Sequence, residues 1–370
     1  MRTTSRRKRS AVPDLIDLPL EELDTPALLL DLQALDENLK RMSEFFQRRP
    51  SRLRPHFSSH RCAALAQRQI TAGAALGMSC ASVGEAEVLA ERGFSNVQIS
   101  NPALGARKAA RIAAVAKKAR LRVVVSDADQ ARAIDAAARA VEATVGVLVE
   151  IEIGAGRPAV SFGRPALELA HCVAGMSCLR FEGLQALEGS AAQVTDFERR
   201  AEAVRRALAL ALETREMLVE NGLAAAVSGG SSSTYQIAGQ IEGISEIQAG
   251  TYATMDWRCA DLSPEFQVAQ TVLARVIAKN GSGVVLDAGA NSLGSEASPP
   301  RVKDHPEADV ILLGDDHCLV RRGPGWNVGE VVQLVPSRAG AAAALYRQFC
   351  VHAEGRVVEL WPIDAAGRLS

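Results

Sequence analysis

The feature that most constrains this fold is a regular beat, a short apolar run followed by a helical stripe, about eight times within roughly 230 residues. Residues 27–31 are an apolar run, and 32–48 then carry apolar side chains at 35, 39, 42, 45 and 46, the spacing of one helix face. Strands are expected at 52–55, 76–82, 97–100, 121–126, 146–153, 179–186 and 224–228. Helices are expected at 60–72, 84–92, 106–119, 127–141, 165–174 and 196–221. Short connections between unlike elements imply parallel strands with right-handed crossovers. Eight such units predict a closed (β/α)8 barrel rather than an open doubly wound sheet.

Past residue 245 the beat stops. Residues 268–278, 283–287, 308–314, 317–322, 330–336, 349–353 and 356–361 are short alternating segments separated by Gly, Pro, Asn and Asp. That pattern predicts a mainly antiparallel β-domain. The organisation expected is a basic, disordered tail over 1–20, a barrel over 21–245 and a C-terminal β-domain over 246–370.

Composition excludes several function classes. Net charge is −1, from 42 basic and 43 acidic residues, and aromatics make up only 4%, so neither a nucleic-acid surface nor a base-stacking platform is expected. No stretch approaches the roughly 20 apolar residues of a membrane span. The 7 cysteines are an odd count without a Cys-x-x-Cys pair, which predicts reduced thiols in a cytoplasmic protein and no zinc knuckle. Arg6-Arg7-Lys8-Arg9 is followed by no apolar run, so no signal segment is expected there.

Three stretches carry chemistry. Arg54-Pro-His-Phe-Ser-Ser-His-Arg61 sits where a strand hands over to a helix, the place where α/β proteins put their reactive groups. His56 and Ser58 are its candidate site residues. Val227-Ser-Gly-Gly-Ser-Ser-Ser-Thr-Tyr235 follows the last barrel strand, where adjacent glycines and free amides suit an anion. Ser228, Gly229, Gly230, Ser231 and Tyr235 are assigned to a phosphate cradle, with Gly250, Thr251 and Tyr252 completing it. It lacks Gly-Lys-Ser/Thr and so is no nucleotide loop. Arg157 ends Ile151-Glu-Ile-Gly-Ala-Gly-Arg157 and is placed to reach over the barrel mouth toward a carboxylate or phenolate oxygen.

Taken in order, Asp24-Thr-Pro-Ala-Leu-Leu-Leu-Asp31, Arg54-Pro-His56, Ser82-Val-Gly-Glu-Ala-Glu-Val88, Gly154–Arg157, Gly183-Leu-Gln-Ala186, Ser228-Gly-Gly230, Gln248–Tyr252, Asp287-Ala-Gly289, Asp316-His317 and Trp361-Pro362 make a recognisable series. The chain resembles the fold-type III, pyridoxal-phosphate-dependent D-threonine aldolase and D-serine dehydratase family from about residue 22 to 365. The resemblance implies an alanine racemase-like fold, a TIM-like barrel followed by a β-domain, and a homodimer. It also implies Gln185 and Arg157 at the cofactor and His56 stacking on it or hydrogen-bonding to it.

The same resemblance exposes losses. The family motif reads Arg-Pro-His-x-Lys-Thr-His-Lys, and its first lysine forms the Schiff base; here that position is Ser58, whose hydroxyl cannot form an imine. Only 7 lysines exist (8, 40, 108, 117, 118, 279 and 303), none in a motif aimed at the same spot. The family's metal-binding Pro-Asn-His-x-Cys/Asp-Pro is Pro336-Ser-Arg-Ala-Gly-Ala341, with Arg338 for the histidine and Gly340 for the second ligand, so no metal is expected. The family tyrosine after Leu-Gln-Ala is Leu187, and the lysine of Asp-Ala-Gly-x-Lys is Asn291. Three readings stand. The chain is a non-catalytic relative that holds a phosphate-bearing ligand such as pyridoxal 5'-phosphate non-covalently; or an active, metal-free lyase of D-3-hydroxyamino acids using His56; or a pseudoenzyme subunit that pairs with an active paralogue. The partner expected is a small phosphate-bearing ligand or a D-amino acid.

Overall fold

The computed structural model describes residues 15–294 and 298–370. Residues 1–14 of the expected tail lie outside them, but residues 15–20 are packed rather than loose. The Asp17 amide donates to the Val357 carbonyl at 2.8 Å, the Val357 amide returns to Leu18 at 3.0 Å, and Leu20 is buried with Leu23, Leu29 and Leu273.

Eight parallel strands form the barrel of the first sheet, and Val160–Ser161 adds a ninth strand beside Val145–Glu152. In spatial order the eight are Arg52–Leu53, Glu246–Ile247, Ala226–Gly229, Leu179–Ala186, Val145–Glu152, Arg120–Val125, Asn96–Ile99 and Met78–Cys80. The sheet curls until bridges between Leu53 and Ala75 and between His56 and Ser79 join its two edges. The expected barrel and following β-domain are therefore present, but one strand of the count is corrected. Ala27–Asp31 pairs antiparallel with Gln270–Asn280 and parallel with Gln348–Ala353, in the second sheet. Its Ala-Leu-Leu-Leu core is apolar on both faces, so its periodicity could not say which sheet would cover it. The eighth barrel strand is Glu246–Ile247, too short to show a period.

The helices follow the expected stripes. Leu32–Phe46 buries Leu35, Leu39, Met42 and Phe46 against the barrel and is capped by Asp31, whose carboxylate accepts the Ala34 amide at 3.0 Å. Among the described residues no helix is long and apolar enough to cross a membrane.

The barrel interior is polar along one line. The Arg54 guanidinium meets Glu246 through two hydrogen bonds of 2.9 Å, and Arg122 reaches the same carboxylate. Arg122 also donates to Gln98 at 2.9 Å; Gln98 and Gln248 each donate to Gln185 Oε1 at 2.8 Å. Burial alone would raise the Glu246 carboxyl, and the Arg54 hydrogen bonds with the Arg54 and Arg122 charges carry it down to about 2. The charge is thus retained inside the barrel, and the network fixes the floor beneath the site.

Candidate active site

The carboxyl ends of the barrel strands open onto three connected hollows. One, about 530 Å³, is lined by His56, Ser100, Arg157, Glu188 and Gln248; the next, about 540 Å³, by His56, Ser58, Gly250, Thr251 and Arg338. A third of about 340 Å³ lies under Ser231–Ser233, Asp256 and Arg258 and shares Ser231, Thr251 and Arg338 with the second. The structure thus brings His56, Ser58, Arg157, Gly230, Ser231, Gly250, Thr251, Arg338 and Gly340 onto one mouth.

His56 leaves its strand in extended geometry, held by a 3.1 Å bond from its amide to the Ala249 carbonyl. Its Nε2 lies 2.9 Å from Ser100 Oγ. Burial, with the Arg157 and Arg61 charges, lowers its pKa to about 4, so the ring is neutral at physiological pH. Residues 57–59 make one 3-10 turn, and the α-helix begins at Ala63 rather than at the expected His60. Arg61 takes a left-handed φ of 55° between the two, and Asp364 of the C-terminal domain caps the helix by accepting the Ala63 amide at 2.7 Å.

Ser58 does not present a free nucleophile. Its hydroxyl donates to Glu85 at 2.5 Å and accepts the Ala81 amide at 3.0 Å. Glu85, buried, also accepts that amide at 2.8 Å and pairs with Arg61 at 3.1 Å. The motif Ser82-Val-Gly-Glu85 signals a capped helix start, and Ser82 does accept the Glu85 amide at 3.1 Å. The Glu85 carboxylate turns instead toward Ser58, a role that the sequence reading missed.

Arg157 donates to Glu150 at 2.9 Å and to the Ser100 carbonyl and Asn101 at 2.7 Å each, so it is held at the mouth rather than free in solvent. In the serine-rich loop some donors already have partners. The Gly230 amide donates to Glu188 at 3.1 Å, the Ser231 amide to Thr234 at 2.9 Å, and the Ser232 hydroxyl accepts the Tyr252 amide at 2.9 Å. The amides of Ser232, Ser233 and Gly250 donate to no acceptor among the described residues. Gly250 is required by close approach: a Cβ there would sit 2.6 Å from the His56 carbonyl oxygen.

Five assigned residues lie elsewhere. Tyr235 and Tyr252 belong to the hydrophobic core, their hydroxyls 3.0 Å from Glu265 and 3.2 Å from the Gln69 amide. Ser228 and Gln185 face the polar floor, where Ser228 donates to Glu246 at 3.2 Å and Gln185 to the Ser100 carbonyl at 2.8 Å. Gly229 is part of the strand beneath the loop, its carbonyl accepting the Gln248 amide at 2.7 Å. His60 is buried: the Cys62 amide donates to Nδ1 at 3.2 Å, so Nε2–H donates to Gln69 at 3.1 Å.

At the position of the family's metal histidine, Arg338 is exposed to the second and third hollows. Gly340 packs against the 57–59 turn, where a Cβ would lie 2.7 Å from the Ser58 carbonyl oxygen, and its own carbonyl accepts Arg61 Nη1. A larger second ligand does not fit without moving that turn. Among the described residues no three His, Cys, Asp or Glu side chains gather to hold a metal ion.

Comparison with known proteins agrees with this architecture. Residues 30–256 match the alanine racemase N-terminal domain family and 269–352 the putative serine dehydratase domain family. The chain is 34% identical over 361 residues to the D-threonine aldolase of an Arthrobacter species, covering 94% of each. It is 29% identical to the 3-hydroxy-D-aspartate aldolase of Paracoccus denitrificans (strain Pd 1222), over 96% of each. The crystal structure of D-threonine aldolase from Filomicrobium marinum superposes with a TM-score of 0.93 at 36% identity, covering 97% of this chain and 99% of that one.

Proposed function

We propose, for a chain that belongs to the fold-type III pyridoxal-phosphate family joining an alanine racemase N-terminal domain to a serine dehydratase domain, that it holds a phosphate-bearing ligand such as pyridoxal phosphate without a covalent bond and lacks the family's lysine-based lyase chemistry. One observation carries the reading. The hydroxyl of Ser58 stands at the lysine position, bonded to Glu85 and to the Ala81 amide, and no lysine lines any of the three hollows.

The phosphate end of such a ligand fits the residues present. Amides of Ser232, Ser233 and Gly250 are available, and Thr251 lines the same pair of hollows. The covalent end does not fit, because an amine is needed there and none is present. Bound pyridoxal phosphate supplies an electron-withdrawing ring and an aldehyde. This chain's contribution is to bind and orient: Arg157 and neutral His56 flank the hollow beside the cradle. His56 is a poor base for removing a proton from carbon, since burial and its cationic neighbours keep its pKa about 4. That counts against an active lyase that uses His56.

A homodimer belongs to the same reading and is checked by light scattering. The ligand is tested by titrating the pure chain with pyridoxal phosphate and following absorbance and equilibrium dialysis. Saturable binding with the spectrum of the free aldehyde is expected; no binding at millimolar ligand overturns the reading.

A further inference from the structure

A buried carboxylate sits against the phosphate cradle with no cation to balance it. Glu188 is 2% exposed, lines the hollow it shares with His56, Arg157, Gly230 and Ser231, and has no ion-pair partner among the described residues. Its two oxygens are held by the serine-rich loop itself. One accepts the Gly230 amide and the other the Thr234 hydroxyl, each at 3.1 Å, and Thr234 Oγ1 in turn accepts the Ser231 amide at 2.9 Å. Ser231, Ser232 and Ser233 therefore lie between the two points at which Glu188 grips the loop.

The charges around Glu188 are committed elsewhere. On residues 150–157, Glu150 holds Arg157 at 2.9 Å, and Glu152 accepts the Gly154 amide and, at 3.2 Å, the Arg157 amide. On the helix Phe197–Glu220, Arg200 donates to the Val194 and Leu262 carbonyls. Across the mouth, Asp256 accepts the Cys259 and Ala339 amides, while Arg258 and Arg338 line the hollow under Ser231–Ser233, which Glu188 does not border. His56, in the same hollow as Glu188, is neutral. Burial pushes the Glu188 carboxyl up, against the hydrogen bonds from its own amide, Thr234 and Gly230. A buried carboxylate without a cation is poised between keeping its charge and taking a proton. A phosphate brought to the free amides of the loop adds a second negative charge nearby, which favours the proton.

We infer that Glu188 sets the charge state in which the cradle takes its phosphate: the anion binds as the carboxylate takes one proton from solvent, and the occupied site holds a neutral Glu188. The inference rests on the reading that the cradle takes a phosphate. The hydrogen bonds survive the change. A protonated carboxyl keeps one oxygen for the Gly230 amide and turns its O–H to Thr234 Oγ1, whose own proton then points to Ser231 Oγ at 3.1 Å.

The test compares the full chain with Glu188→Gln, which keeps the shape of the neutral side chain. Calorimetric titration uses pyridoxal phosphate and, separately, sulfate, an anion that does not itself titrate between about pH 6 and about pH 8.5. The two chains are expected to bind alike at about pH 6, and Glu188→Gln about tenfold tighter than the unaltered chain at about pH 8.5. Sulfate binding to the unaltered chain at about pH 8, in buffers of different ionisation enthalpy, is expected to take up about one proton, an uptake that Glu188→Gln loses. An affinity ratio between the chains that does not change with pH overturns the inference and makes Glu188 a structural brace. Zero proton uptake in the unaltered chain overturns it whether or not the variant folds. Sulfate binding with Glu188-dependent uptake but no pyridoxal phosphate binding upholds the role of Glu188 and refutes the proposed cofactor; no binding of either anion up to about 50 mM refutes both.

Discussion

His60 gives a prediction with a calculable size. The family resemblance places it inside the opening motif, yet the structure buries it completely between the Cys62 amide and Gln69, with Gln69 passing the chain on to the Tyr252 hydroxyl at 3.2 Å. Burial lowers its pKa from 6.5 to about 3, outweighing the opposing Gln69 hydrogen bond. A histidine held neutral in the fold binds its proton only on unfolding, so it stabilises the fold above pH 6.5 and this contribution drains away as pH falls toward the folded value. Between about pH 7 and about pH 4.5 the loss comes to roughly 2–3 kcal/mol for this residue alone. His60→Gln keeps a neutral side chain at every pH. Urea unfolding of both chains at the two pH values isolates the term, because the other titrating groups are common to both. The variant is expected to be less stable at pH 7, through lost ring packing, and to lose roughly 2–3 kcal/mol less on acidification. Parallel pH curves for the two chains refute the reasoning and mean that the folded ring accepts the proton.

Three other outcomes follow from the same geometry. Gly340→Asp restores a family ligand type but drives a Cβ to 2.7 Å from the Ser58 carbonyl; a cost of about 1–3 kcal/mol is expected in chemical denaturation, with no tight manganese or zinc binding by calorimetry. Ser58→Lys brings an ammonium beside the Glu85 carboxylate without repairing Arg338 or Gly340, so glycine release from D-threonine is expected to stay at background in a coupled assay, and family-type turnover contradicts it. Glu246→Gln strands Arg54 and Arg122 in the barrel, and a destabilisation of about 3–5 kcal/mol is expected in denaturant midpoints.

Much of the fold was legible because parallel strands covered on both faces read as unbroken apolar runs, and helices on the outside read as stripes. The same uniformity hid where Ala27–Asp31 goes, since a strand apolar on both sides fits either sheet. At the site, the missing lysine was visible at once, being a matter of residue type in a motif. Its consequence was not: Ser58 is locked by Glu85, whose sequence context announces only a helix cap. Tyr235 and Tyr252 were read as ligand contacts from their neighbours, but rings this large following a mouth loop turn into the core when the adjacent Phe45, Phe46 and Phe266 offer them aromatic edges. The bond from the Ala339 amide to Asp256 was not legible either, because it joins two segments far apart in the chain.

The proposed function requires a site that holds pyridoxal phosphate without attaching it. Borohydride treatment of the chain saturated with pyridoxal phosphate, followed by intact mass and peptide mapping, tests this directly. Bound ligand is expected to dialyse away, with no stoichiometric mass increase and no label on any peptide lining the mouth. One equivalent of ligand fixed to a single lysine, with the spectrum of a family enzyme, would contradict it.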